Sequence, residues 1–181
     1  PMKVALSKFK RAGGRFISIN PVRTGYSAIA DEWIPIKPGT DGALLMALLH
    51  ELIAQDLFDH AFVKRFTNGP QLVVLDEGER EGLFPYDPNP EKGPPGDGRH
   101  PHNKLVWDKA SGSIKNAYPE GIADGCDPAL EGHYTLADGT HVAPSFQLLR
   151  ERVASCTPEW AQSITGIDAA RIRKLAREMG N

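Results

Sequence analysis

The spacing of apolar positions changes twice along this chain, from helix and short strand at the start, to almost no periodicity, and back to helix. Residues Lys3 to Ala12 read as a helix that stops at Gly13-Gly14, and Phe16-Ile17-Ser18-Ile19 reads as a buried strand. The chain then turns through Asn20-Pro21-Val22-Arg23-Thr24 to a second apolar stretch, Trp33-Ile34-Pro35-Ile36. Pro35 lacks an N–H for a ladder, so this second strand should lie at an edge or be irregular. Pro38-Gly39-Thr40-Asp41 leads into a long helix with Leu45, Leu48, Leu49, Leu52 and Ile53 at helical spacing and Thr40 or Asp41 as its cap. A shorter helix from about Asp59 to Phe66 follows, with Phe62, Val63 and Phe66 on one face.

From Asn68 to Ala143 the pattern dissolves. Prolines and glycines crowd Gly82 to Pro101, a composition with little apolar area to offset ordering entropy, so this stretch is expected to be the first cut by a protease. Short strands are expected at Leu72 to Leu75 and Leu105 to Trp107. A hairpin is expected where His133 to Leu136 and Thr140 to Ala143 flank Ala137-Asp138-Gly139. Helical spacing returns with Phe146, Leu149 and Val153, and Thr157-Pro158 opens another helix with a capping residue and a first-turn proline. Asp168 caps a last helix with the stripe Ile172, Leu175, Ala176 and Met179. Its other face carries Arg171, Arg173, Lys174 and Arg177 and is read as solvated or packed on a partner domain.

These elements predict an α/β fold: a partial Rossmann-like, three-layer domain formed by residues 1–66 and 144–181, interrupted by an irregular insertion at 67–143 that holds a hairpin. The chain opens inside an α/β alternation, as expected of an internal fragment of a longer protein. Uncovered helix faces or a bare strand edge would then favour self-association.

Composition narrows the function classes. Twenty-one Lys and Arg against 23 Asp and Glu give a net charge of −2, which offers no general attraction to nucleic acid or anionic lipid. The longest apolar run, Ala43 to Leu49, is far short of the roughly 20 residues that span a bilayer, so no membrane insertion is expected. Cys126 and Cys156 form no CxxC pair and cannot build a cysteine-only zinc or iron–sulfur site. His100-Pro101-His102 lacks a close third ligand, so no metal is assigned. The chain also has no GxSxG, P-loop, HExxH or GxGxxG motif, and no catalytic residue is assigned.

Two segments remain as a candidate ligand site, because each leaves the carboxyl end of an expected strand, where open α/β sheets bind ligands. Asn20 to Thr24 offers an amide, a rigid proline turn, the cation of Arg23 and the hydroxyl of Thr24; equally, Asn20 can simply make an Asx turn. Gly39 lets backbone approach a ligand, and Thr40 and Asp41 open a helix. A carboxylate there suits the two adjacent donors of a guanine edge, but an acid at a helix start is also favoured by the macrodipole alone.

The run Phe16-Ile17-Ser18-Ile19-Asn20-Pro21-Val22-Arg23-Thr24, then Ala30-Asp31-Glu32-Trp33-Ile34-Pro35-Ile36-Lys37-Pro38-Gly39-Thr40-Asp41 and Ala43-Leu44, resembles the molybdopterin oxidoreductase family of formate dehydrogenases, nitrate reductases and dimethyl sulfoxide reductase. The tail, Thr157-Pro158-Glu159-Trp160-Ala161 with Ile164-Thr165-Gly166-Ile167 and Ile172 to Glu178, is similar to the segment that closes this region in the family. The resemblance implies that Asn20, Pro21, Val22, Arg23, Thr24, Gly39, Thr40 and Asp41 contact the guanosine diphosphate part of one molybdopterin guanine dinucleotide. It implies a parent large subunit with molybdenum bis(molybdopterin guanine dinucleotide) and a 4Fe–4S cluster, whose molybdenum ligand and cluster cysteines match nothing in this chain. The implied partners are an electron-transfer subunit, together with the remaining domains of the parent. Two departures are visible: Asn20 stands where many members have aspartate, and Val22 where a basic residue is frequent. The competing reading from another class is a non-enzymatic α/β module for protein docking.

Overall fold

The computed structural model describes residues 2–85, 104–116 and 125–180. In chain order its elements are α1 (Met2–Arg11), β1 (Ile17–Ile19), a short 3-10 helix (Gly25–Ile29), β2 (Glu32–Ile34), α2 (Asp41–Ala54), α3 (His60–Phe66), β3 (Leu72–Val74), β4 (Leu105–Asp108), β5 (Ser113–Asn116), β6 (Tyr134–Thr135), β7 (His141–Pro144), α4 (Ser145–Val153), α5 (Pro158–Thr165) and α6 (Ala169–Gly180). The fold is mixed α/β. It divides into two compact units, residues 1–57 with 153–181, and residues 58–152.

In the first unit β1 and β2 form a parallel pair with Ile17 opposite Glu32, Ser18 opposite Trp33 and Ile19 opposite Ile34, joined by a crossover through the 3-10 helix. Pairing stops at Ile34, short of the expected Ile36: the next ladder acceptor, Asn20 O, is taken by the Trp33 indole N–H, and Ile36 stays buried nonetheless. α2 and α6 pack against each other and against α5 around Leu44, Ala47, Leu48, Ala161, Ile172 and Leu175. On α2 the buried face is Leu44, Ala47, Leu48 and Glu51, while Leu45, expected on that face, is 58% exposed. The helix is apolar on nearly every side, so spacing alone could not choose which side turns inward.

The helix ends follow the local chemistry of their sequence. At the end of α1 the Gly14 N–H donates to the Phe9 carbonyl and the Gly13 N–H to the Lys10 carbonyl, each at 3.0 Å, with Gly13 at φ +88°. This is a Schellman end. A Cβ on Gly14 would fall 2.3 Å from the Phe9 ring. Thr157 accepts from the Trp160 N–H at 3.2 Å to cap α5, Pro158 fills its first position, and Asp168 accepts from the Ala170 N–H at 2.8 Å before α6.

The second unit holds an antiparallel sheet in the order β3-β7-β6 and a β4–β5 hairpin. The expected hairpin is β6–β7: the Leu136 N–H donates to Thr140 O at 2.8 Å across a turn in which Gly139 has φ +86°. Leu72, Val74, Leu105 and Val142 form a core, capped by Trp107 and Tyr134, whose rings stack with centroids 4.3 Å apart. The stretch expected to be irregular therefore carries its own small core. β5, Ser-Ile-Lys-Asn, is almost wholly exposed and has no apolar pattern to announce it. The buried Asp108 carboxylate ties this region together, accepting from the Ser111 hydroxyl at 2.6 Å and from the Asp127 N–H at 2.9 Å. Those donors, Ser111 first, hold its carboxyl down at about 2. His100-Pro101-His102 and the residues of Gly82 to Pro101 beyond 85 lie outside the described residues.

Candidate ligand loops at the carboxyl end of the parallel pair

Because β1 and β2 run parallel and in register, the turn after Ile19 and the loop after Ile34 leave the same end of the pair. Topology thus brings Asn20 to Thr24 and Gly39 to Asp41 to one edge, as the sequence predicts for a ligand site. No hydrogen bond or ion pair joins the two segments among the described residues.

The first loop is fixed by its own chemistry. The Asn20 N–H extends the ladder to Ile34 O at 3.2 Å, and the Asn20 carbonyl accepts from the indole N–H of Trp33 at 2.9 Å. Its side-chain Oδ1 accepts from the Val22 N–H at 3.1 Å, so Asn20 does make an Asx turn. The Thr24 N–H donates to Val22 O at 3.0 Å, and Thr24 O accepts from the Ser27 N–H at 3.0 Å. Pro21, Val22, Arg23 and Thr24 are exposed, and among the described residues neither Arg23 nor the Thr24 hydroxyl has a partner.

The second loop is braced on the corner between α5 and α6. The Lys37 N–H donates to Thr165 O at 3.0 Å, and the Lys37 side chain lies over Gly166, whose φ is +77°. Lys37 to Thr40 form a turn, with the Thr40 N–H reaching Lys37 O at 3.3 Å, Pro38 second and Gly39 third at φ +76°. That is the backbone of a type II turn, which requires a positive φ at its third residue. Thr40 precedes α2 but does not cap it: its hydroxyl donates backwards to Lys37 O at 2.7 Å. The expected cap is thus lost to the tight turn. Asp41 also makes no capping bond; its carboxylate is exposed and has no partner among the described residues.

The other end of the same strands is charge-neutralised. Asp31 accepts from the Phe16 N–H and pairs with Lys10, each at 2.8 Å, and the Lys10 bond chiefly pulls its carboxyl below the ordinary value. Arg15 bridges Glu32 and Glu178, and Arg171 bonds Glu32 at 2.6 Å and approaches Glu178 at 3.5 Å. On the other side of α6, Arg173 holds both oxygens of Glu159 at 2.7 and 2.8 Å. Of the basic residues expected on the solvated or partner-facing side of α6, Lys174 and Arg177 are exposed, while Arg171 and Arg173 tie the helix to Glu32 and Glu159.

Trp33 is the contributor that residue-type reasoning passes over. A buried or half-buried indole N–H needs an acceptor, and that need is the only signal in the sequence that Trp33 would grip a neighbouring loop.

No family model matches the chain. Among curated proteins it is 55% identical to a sulfite dehydrogenase subunit of Allochromatium vinosum, over 99% of this chain and 18% of that protein. It is 34% identical to the alpha subunit of perchlorate reductase from Dechloromonas aromatica, over 96% of this chain and 21% of that one. It is 35% identical to a putative dimethyl sulfoxide reductase catalytic subunit of Halobacterium salinarum, over 92% and 18% respectively. The chain belongs to the molybdopterin oxidoreductase family. It spans about a fifth of the length of these family members. A solved acetylene hydratase from Pelobacter acetylenicus is similar over 95% of this chain and 13% of its own, with 21% identity and a TM-score of 0.48. Among the described residues no helix is long and apolar enough to cross a membrane, and no group of three or more His, Cys, Asp or Glu could hold a metal.

Proposed function

We propose that this chain is the part of a molybdenum-dependent oxidoreductase large subunit that holds the guanosine diphosphate end of one molybdopterin guanine dinucleotide. The observation that carries the reading is the parallel pair itself. Its two loops leave one edge, and each offers an ionic side chain, Arg23 or Asp41, with no partner among the described residues.

The chemistry of this group set fits the ligand. The Asp41 carboxylate can accept both N1–H and the exocyclic amine of guanine, whereas adenine presents a ring acceptor where guanine has N1–H. Asn20, Arg23 and Thr24 suit ribose or diphosphate, and Gly39 keeps the approach to Asp41 free of a Cβ, with no atom within 4 Å of where one would stand. Bound in the parent, the cofactor supplies oxygen-atom or hydride-equivalent transfer at molybdenum, while the residues here supply binding and orientation. The same reading makes the first unit part of a Rossmann-like three-layer domain. It places the molybdenum ligand, a second guanine dinucleotide, a 4Fe–4S cluster and the contacts to an electron-transfer subunit elsewhere in the parent.

The test uses the full-length subunit prepared without cofactor and titrated with GDP and ADP. Wild type should prefer GDP. Asp41→Asn places an amide donor against a guanine donor and should cut that preference by about 5- to 150-fold, the equivalent of roughly 1–3 kcal/mol for an unmatched polar group. Equal affinity of the wild type for GDP and ADP would sink the guanine assignment.

A further inference from the structure

We propose that Trp33 is a positioning residue for the ligand edge: its indole N–H ends the β1–β2 ladder at Ile34 and so holds the two loops apart. The inference rests on the nucleotide-binding reading above and adds to it a residue that lies outside both loops.

Two N–H groups compete for the carbonyl of Asn20. In a parallel pair, a residue turned toward its partner strand bonds the two residues that flank its opposite number. The Asn20 N–H already donates to Ile34 O at 3.2 Å, so the next rung of the ladder would run from the Ile36 N–H to Asn20 O. The indole N–H of half-buried Trp33 occupies that oxygen instead, at 2.9 Å. Pro35 takes no part in the choice, because an N–H at its position would point away from β1. The Ile36 N–H is left with no acceptor among the described residues, although Ile36 is buried. An unpaired buried N–H costs about as much as a lost hydrogen bond, so its presence beside a rung that could be made calls for a function. Geometry supplies one. Beyond Ile34 the chains diverge: Asn20 enters its Asx turn, and the Lys37 N–H donates to Thr165 O at 3.0 Å, drawing the second loop onto the corner between α5 and α6. A rung at Ile36 would pull the start of Pro38-Gly39-Thr40-Asp41 back toward Asn20 and narrow the crevice at the strand ends.

Trp33→Phe removes the indole N–H and keeps an aromatic ring, so it tests the bond rather than the packing. In the full-length, cofactor-free subunit, hydrogen exchange read at the Ile36 amide should slow by about two- to tenfold, because that amide gains a hydrogen bond to the released Asn20 carbonyl. GDP affinity should fall by about the same factor, since GDP enters only the open arrangement. A tryptophan that merely packs would give the opposite pattern, with faster exchange throughout residues 15–37 and a lower melting temperature. That result, or an unchanged rate at Ile36, overturns the inference. GDP affinity that holds while the Ile36 amide slows also overturns it, because the rung would then form without closing the crevice. Wild type that binds neither GDP nor ADP sinks the nucleotide reading, and the exchange rate at Ile36 alone then decides whether Trp33 separates the strands.

Discussion

The two ends of the β1–β2 pair are built from the same strands and carry opposite electrostatic designs. At the amino end, Lys10, Arg15 and Arg171 meet Asp31, Glu32 and Glu178, and every one of these charges has an opposite partner within 4 Å. At the carboxyl end, Arg23 and Asp41 have none among the described residues. A fold seeking only stability would gain equally from pairing at either end, apart from the small value of exposed ion pairs. The contrast is consistent with an amino end that holds the sheet onto α6 and supports the proposed reading of the carboxyl end as a ligand edge.

The largest effect expected from breaking this contrast is at Arg171. Its side chain is 18% exposed and touches Glu32 and Glu178, which keep 28% and 26% exposure. Arg171→Met leaves Glu32 to Arg15 and Glu178 to Arg15 and the more distant Lys174, and should ease local opening of the pair by about 1–3 kcal/mol, below the cost for a fully buried pair because water still reaches these groups. Hydrogen exchange of peptides covering residues 15–34 in the full-length subunit would register it as faster exchange there. Unchanged protection would mean that the amino-end network is ornamental.

A smaller effect follows from acid. Asp31 is held below its ordinary value of 3.8 chiefly by the Lys10 bond, and Glu178 below 4.5 chiefly by Arg15. Groups whose folded values are depressed contribute stability above the unfolded value and lose it as pH falls through the folded one. Protection of β1 and β2 should therefore be flat above about pH 5 and decline below about pH 4.5, with Arg15→Gln flattening the part due to Glu178. A decline that began on raising the pH would contradict this sign.

Much of this edge is legible in the sequence, for reasons that separate local from long-range physics. The Gly13-Gly14 stop, the Thr157 and Asp168 caps, the proline at the start of α5 and the turn at Gly139 each depend on a few adjacent residues, and each is formed. Local chemistry also explains the failure at Thr40, where two neighbouring uses compete for one hydroxyl and the turn to Lys37 takes it. The pairs of Arg171 with Glu32 and of Arg15 with Glu178 join residues 139 and 163 positions apart, which no spacing in one sequence displays. β5 escapes for another reason: a strand held by backbone pairing on an exposed hairpin needs no apolar alternation.

The smallest expected effect is the sharpest test of the carboxyl end. If Arg23 and Asp41 are kept for a ligand, removing either charge in the ligand-free subunit should scarcely change stability. Arg23→Gln breaks no bond or ion pair among the described residues, so protection of residues 15–34 should stay within about 0.5 kcal/mol of wild type, as for an ordinary surface substitution. Asp41 lies in the first turn of α2, where a carboxylate gains a few tenths of a kcal/mol from the macrodipole, so Asp41→Asn should lower α2 protection by about 0.3–0.5 kcal/mol and no more. The same two substitutions should act on nucleotide affinity by far larger factors. A loss of about 1 kcal/mol or more in ligand-free protection would mean that these side chains hold the fold together, and the distinction between the two ends of the sheet would collapse.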